Sequence, residues 1–388
     1  MAKLIDITGK PLSGEWGIDD NEGTGIPVLR TTNFTNEGVV NYNDVVTRQI
    51  KKKNLSEKML RYGDIILEKS GGSDKQPVGR VVFFEGEENK YLFNNFTGLL
   101  RIKDTSKWLP KYVFYALFAN YIAGGTLRYE NRTTGLHNLQ TDSYVASVDI
   151  PERALDEQRA IVAHLDKVTQ IIGLQRIQAE RLEQLVKSRF VELFESSELS
   201  AETTIEAITE QVKVGFVGTC EKYYTDESGV PMLRTGNITE KGIDLKDLKY
   251  VTREFHEKNK KSQIHTGDLL IARHGSNGQA NVYSGPEAQC LNAVVIVPNQ
   301  SIASSIFLAG LINSPMVKEQ IERTLVGSTQ RVVNTKSIAN LKAKVPSITV
   351  QRQYEEFVEQ TDKSKLAVQQ GLQELELLKK SLMQQYFG

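Results

Sequence analysis

Residues 25 to 40 read GIPVLRTTNFTNEGVV and residues 229 to 244 read GVPMLRTGNITEKGID, with eight identities in sixteen positions and no gap. The identities are Gly25/Gly229, Pro27/Pro231, Leu29/Leu233, Arg30/Arg234, Thr31/Thr235, Asn33/Asn237, Thr35/Thr239 and Gly38/Gly242, all at an offset of 204. The echo continues through Val46-Thr47-Arg48 against Val251-Thr252-Arg253, and through Gly63-Asp64-Ile65-Ile66-Leu67 against Gly267-Asp268-Leu269-Leu270-Ile271. Solenoid repeats have periods of roughly 20 to 50 residues, so a period this long marks a duplicated domain. The chain has 388 residues, beyond the size at which single cores split, which agrees with two domains.

Each half ends in helical sequence. After Pro151 the stretch ERALDEQRAIVAHLDKVTQIIGLQRIQAERLEQLVKSRFVELF holds one Gly and no further Pro. Alternating steps of four and three from Ile161 reach Leu165, Val168, Ile172, Gln175, Ala179, Leu182, Val186, Arg189 and Leu193; eight of these ten positions are apolar or Ala, a coiled-coil seam. The stretch after Pro346 repeats Gln158-Arg159 as Gln351-Arg352, with a seam weaker at Thr361 and Lys365 and stronger at Leu372, Leu375 and Leu382. Short apolar runs punctuated by Gly, Asn and Asp precede both helices and predict β-rich units, with shorter helical patterns at 110–121 and 306–323. The expected fold is α+β: globular units at 1–152 and 197–346, long helices at 153–196 and 347–388. A helix leading from one unit to the next, paired with a second that returns, must run antiparallel to it.

Composition narrows the function. The 48 Lys plus Arg balance the 48 Asp plus Glu, which argues against bulk-charge coating of nucleic acid and leaves room for local basic patches. Cys220 and Cys290 are too few for a disulfide framework, and neither a signal-peptide pattern nor a run of about 20 apolar residues is present, so a cytoplasmic protein is expected. The five histidines show no metal spacing, and phosphate-binding and Ser-His-Asp patterns are missing. Asp64 with Glu68-Lys69 makes a faint nuclease-like cluster, but its counterpart is Asp268 with Ala272-Arg273. No catalysis, cofactor or metal is expected of this chain.

The duplicated order of PxLRxxN, a Gly-Asp strand, a Gly/Ser/Thr-rich stretch, a Pro and a long Gln-Arg helix resembles the specificity subunit of type I restriction-modification enzymes. The similarity covers nearly the whole chain, including GLHNLQTDSYVASVDIP at 135–151 and QRVVNTKSIANLKAKVP at 330–346. It implies two target recognition domains that each read half of a bipartite double-stranded DNA target. It also implies a helical spacer and, as partners, methylation subunits, expected to number two, with a restriction/translocase subunit as a further possibility. One departure stands out: the first unit has a shorter lead-in to PxLRxxN than the second, so it is expected to lack a strand.

Within this resemblance, residue types sort into two groups. Arg30, Thr31 and Asn33, with Arg234, Thr235 and Asn237, have the chemistry of DNA contacts, since Arg pairs with phosphate or guanine and Asn with adenine. Turn chemistry is the competing account, and residues identical in two domains that read different half-sites are better suited to the fold or to phosphate. The better candidates for base reading differ between halves. Lys69, Ser70, Ser73 and Lys75 stand opposite Arg273, His274, Ser276 and Asn277, while Arg132, Thr133, Thr134 and His137 stand opposite Ser328, Thr329, Gln330 and Arg331. Basic runs containing Lys52 and Lys260 recur at the same place and are candidate phosphate contacts. A non-catalytic coiled-coil scaffold with paired protein- or glycan-binding domains is the rival reading.

Overall fold

Gly63 and Gly267 adopt φ of 91° and 96°, a turn that glycine enters without steric cost. The aspartate that follows each glycine locks the turn. Asp64 Oδ2 accepts the Arg61 N–H at 2.8 Å and Asp268 Oδ2 accepts the His265 N–H at 2.9 Å. Each turn launches a fully buried strand, Ile65–Glu68 or Leu269–Ala272. Side chains alternate across a strand, and here both faces are covered: Ile65 and Leu67 enter one core while Ile66 enters another. Leu269 and Ile271 separate from Leu270 and Ala272 in the same way. The continuous apolar run in the sequence therefore reflects a strand between a helical layer and a second sheet.

This computed structural model describes residues 1–52, 54–132, 137–195, 202–239, 242–273, 278–325 and 332–388. They form two units, Met1–Arg176 with Gly371–Gly388, and Ile177–Gln370. The first unit has a four-stranded sheet in the order Leu12–Ser13, Thr97–Leu100, Ile65–Glu68, Val81–Phe83. The second repeats it as Thr209–Val214, Ala293–Pro298, Leu269–Ala272, Ala280–Val282. The other sheet also recurs: Ile18–Asp19, Val46–Gln49, Ile26–Leu29, Leu92–Phe93 against Tyr224–Thr225, Lys249–Val251, Val230–Leu233, Ala288–Cys290, with Gln263–Ile264 added to the second. Both include a parallel pair in equivalent register, Val28↔Leu92 and Met232↔Gln289.

Two expectations need correction. The short lead-in does not cost the first unit a strand: Ala2–Lys3, Leu12–Ser13 and Ile18–Asp19 match Glu202–Thr204, Thr209–Val214 and Tyr224–Thr225. The middle one is merely shorter, because Gly9 at φ 82° and Pro11, which has no N–H to donate, delay entry into the ladder. The second correction concerns the helical pattern at 306–323. Pro110–Ile122 is one helix, but its counterpart breaks into Ser305–Asn313 and Pro315–Leu325. Proline disfavours helical geometry in the residue before it, and Ser314 is extended at ψ 152°.

The long helices run Leu155–Phe190, continuing as a wider π turn over Val191–Glu195, and Ile348–Phe387. All ten seam positions of the first are buried or half-buried. In the first unit its partners on the second helix fall in number as its own rise, the sense of an antiparallel pair. His164 Nδ1 lies 3.0 Å from the Tyr386 hydroxyl, and Arg176 donates to Glu376 at 3.0 Å. In the second unit Phe190 packs edge-on against Tyr354, and the Arg189 guanidinium lies over Phe357. The seam residue Thr361 satisfies its hydroxyl within its own helix, donating to Phe357 O at 2.8 Å.

A buried glutamine fixes the start of each long helix. Gln158 is 0% exposed; its Oε1 accepts the Leu109 N–H at 2.8 Å, and its Nε2 donates to Lys107 O and Arg153 O, both at 2.9 Å. Gln351, also 0% exposed, accepts from Ser304 N at 2.9 Å and donates to Ile302 O at 2.8 Å and Pro346 O at 3.0 Å. Each amide thus caps the orphan N–H at the start of the neighbouring shorter helix while holding the chain ahead of its own. Gln158→Ala strands three partly buried backbone groups and should destabilise the first unit by on the order of 3 kcal/mol. Urea denaturation followed by the fluorescence of Trp108 checks this, and Gln351→Ala should leave that signal's midpoint unchanged.

Candidate nucleic-acid interface

The repeated Arg-Thr-x-Asn segments form closed loops. Asn33 is 2% exposed: its Oδ1 accepts the Arg30 N–H at 2.9 Å, and its Nδ2 donates to Asn41 O and Asp44 O, both at 3.0 Å. Asn237, 5% exposed, accepts from Arg234 N at 3.0 Å and donates to Asp244 O at 3.1 Å and Lys246 O at 3.4 Å. A side-chain amide has two donors and one carbonyl, and with all of them engaged neither asparagine keeps the free donor and acceptor that reading adenine requires. The arginines clasp the far side of the same loops, Arg30 on Asp44 and Arg234 on Asp247 O at 3.2 Å. Thr31 O accepts from Arg80 at 3.2 Å, and Thr235 Oγ1 donates to Asn292 O at 3.3 Å. The shared residues thus maintain the loop.

The divergent residues have a different setting. In the first unit a three-stranded sheet, Glu130–Asn131, His137–Leu139, Ser70–Gly72, joins the two candidate stretches that lie far apart in sequence. Ser73 and Gln76 exchange backbone hydrogen bonds at 2.7 and 3.0 Å, closing a tight turn that exposes Ser73, Asp74 and Lys75. The Lys75 ammonium has no partner among the described residues, and the Arg132 side chain is 61% exposed, with Asp74 and Glu130 at 3.7 and 3.5 Å. His137 is buried; its Nδ1 bonds Glu130, and its Nε2 lies 3.6 Å from Asp74. Lys69 donates from Nζ to Ser13 Oγ at 3.0 Å.

The second unit makes the same junction. Val333 N–H donates to Arg273 O at 3.1 Å, as Leu139 N–H donates to Lys69 O at 2.8 Å. The Arg273 guanidinium donates to Asn292 Oδ1 at 2.9 Å and Val333 O at 3.4 Å. His274, Ser276, Asn277, Ser328, Thr329, Gln330 and Arg331, together with Thr133 and Thr134, lie outside the described residues.

The basic runs are unequal. Lys52 and Lys58 both bond Glu15, and these hydrogen bonds, that of Lys52 foremost, hold the Glu15 carboxyl below its ordinary pKa. Lys260 is exposed in the turn Lys260–Ser262, and its ammonium has no partner among the described residues. The second unit therefore offers the less neutralised cationic edge.

Sequence reasoning missed several residues that shape these surfaces. Gly14-Glu15-Trp16-Gly17 recurs as Gly215-Phe216-Val217-Gly218, at an offset that differs from 204 and with no shared residue between the glycines. The first glycine in each is forced: an added Cβ would lie 2.1 Å from Asn94 O or 2.4 Å from Cys290 O. Spacing alone could have revealed this pair. Arg80 holds buried Glu68 through two bonds, at 3.0 and 2.7 Å, and Arg101 holds Asp64 at 2.7 and 2.6 Å. Both carboxylates of the nuclease-like cluster are thus engaged by guanidinium groups. Among the described residues no group of three or more His, Cys, Asp or Glu could hold a metal ion, and no helix is long and apolar enough to cross a membrane.

Residues 202–377 match the family of the type I restriction modification DNA specificity domain. The chain carries a specificity domain of that family. Over 136 residues it is 24% identical to the type I restriction enzyme EcoBI specificity subunit of Escherichia coli, a match spanning 34% of this chain and 29% of that protein. Two solved structures share the fold of the whole chain. One comes from a study of complex assembly and conformational transition of the type I R-M system (TM-score 0.61, 16% identity, covering 100% of this chain and 96% of that one). The other is the type I restriction-modification system S subunit from M. genitalium (TM-score 0.58, 15% identity, 100% and 95%).

In this specificity-domain chain, Asn33→Ala and Asn237→Ala should each destabilise their own unit by about 2 kcal/mol, since each strands loop backbone groups. Lys75→Ala should change stability by less than about 0.5 kcal/mol. Chemical denaturation of the three variants checks the contrast.

Proposed function

We propose that this protein is the DNA-reading specificity subunit of a type I restriction-modification system, each β-rich unit reading one half of a bipartite duplex target. The observation that carries this reading is the separation of roles within the repeat. Residues common to both halves spend their hydrogen bonds inside the fold, whereas Lys75 and Arg132, at divergent positions, remain exposed. Similar scaffolds with unlike exposed donors suit two readers of different half-sites, because base edges in the major groove are told apart by donor and acceptor pattern.

The proposal extends to the helices. They set the separation of the half-sites and dock methylation subunits and, where one is present, a restriction subunit. The chain itself carries no chemistry and acts in the cytoplasm. A scaffold binding proteins or glycans would share the duplication, but it would not need unlike cationic and amide side chains at matched positions.

Replacement of residues 1–152 by the equivalent unit of a relative tests the modular reading. After reconstitution with methylation subunits, the chimera should methylate a target altered in one half only, while the chimera alone should transfer no methyl group. Sequencing of methylated sites checks the outcome; a change in both halves, or methyl transfer by the chain alone, contradicts it.

A further inference from the structure

The first unit has a concavity of about 720 Å³ beside the candidate reading sheet, walled by Ser13, Lys69, Ser70, Asn95, Phe96 and Gln140. Three features bear on what it binds. Lys69 is half-buried and makes no ion pair among the described residues, where its Nζ reaches a hydroxyl, Ser13 Oγ at 3.0 Å. Burial, with the nearby charge of Lys58 as a lesser cause, lowers its pKa, partly offset by Asp142 across the concavity. A cation that has lost solvent without gaining a counter-ion favours an incoming anion. Phe96 is 47% exposed although its backbone is fixed, its carbonyl accepting the N–H groups of Lys69 at 2.8 Å and Ser70 at 3.2 Å. An exposed ring on a fixed backbone is a ready-made stacking surface.

Among the described residues of the second unit this arrangement is not repeated. Between the paired strands, Asn94-Asn95-Phe96 is replaced by Leu291-Asn292, one residue shorter and without an aromatic ring. Arg273, the counterpart of Lys69, directs its guanidinium to Asn292 and Val333. The volume falls in the range of sites for drug-sized ligands, roughly 300 to 1,000 Å³, a class that includes a nucleotide.

From these features we infer that the concavity seats one nucleotide of the first half-site turned out of the duplex stack: Lys69 takes the phosphate, Phe96 packs on the sugar and base face, and the exposed amides of Asn95 and Gln140 face the base edge. This deepens the DNA-reading proposal and rests on it. The seat contributes affinity and a preference confined to one half of the target, because the described residues of the second unit form no equivalent.

The test titrates the full chain with a four-residue thymidine oligonucleotide and follows binding by calorimetry. Lys69→Met and Phe96→Ala should each weaken binding roughly tenfold, while Lys69→Arg and Phe96→Tyr retain it within about threefold. Unaltered binding in both disruptive variants, or no binding by the wild type at millimolar oligonucleotide, overturns the seat. Duplex selection with the reconstituted complex is scored separately. Failure to select any bipartite sequence counts against the specificity reading, and a Phe96→Ala change that alters the second half-site counts against a seat confined to the first.

Discussion

Each unit depends on a single amide buried at the foot of a long helix. Gln158 and Gln351 each spend one acceptor and two donors on backbone groups from two chain segments, with no exposed surface. An unpaired polar group there would cost more than one bond is worth, because desolvation is paid without return. The arrangement therefore holds the shorter helix, the segment before the long helix and the long helix itself in one geometry. That geometry directs the seam residues of the long helix toward its antiparallel partner within each unit, and the rest of the packing follows.

Around this fixed point the two units satisfy similar backbones with different side chains. The first relies on buried ion pairs, Glu68 with Arg80 and Asp64 with Arg101. In the second, Ala272 occupies the place of Glu68, and the strand register puts Val297 where Arg101 stands. At the Glu68–Arg80 pair both partners change together, an exchange for apolar packing that costs little; Asp268 instead keeps its place without a guanidinium, and burial raises its pKa. Arg80 also donates to Phe34 O and Thr31 O, tying the central strand to the Arg-Thr-x-Asn loop in the first unit. In the second, Thr235 and Asn292 form their own link to that loop.

Much of this was legible in the sequence because it repeats. The Gly-Asp turn, the Arg-Thr-x-Asn loop and the paired Gln-Arg helix starts are local, and each fixes its geometry within a few residues. The seam of the first long helix was equally legible, since a helix buries residues at fixed steps. The strand count of the first unit was misjudged because a two-residue strand such as Leu12–Ser13 leaves no periodic trace. The break at Pro315 was passed over because apolar spacing continues across it. Arg80, Arg101 and Phe96 were invisible for a different reason: their partners come from other strands, and only tertiary contact reveals them. The convergence of residues 69–75 with the stretch that includes His137 is likewise a product of strand pairing that neither stretch encodes alone.

The central claim is that the repeated residues build and the divergent exposed residues read. Binding-site selection from a randomised duplex pool, using reconstituted complexes with Asn33→Ala, Asn237→Ala or Arg132→Ala, tests it most directly. The account predicts unaltered base preferences for both asparagine variants wherever they remain folded, and relaxed preference within one half-site for Arg132→Ala, where loss of a bidentate contact would cost on the order of 1 to 3 kcal/mol. A folded asparagine variant with altered base preference, or an Arg132 variant with the wild-type preference at every position, would contradict it.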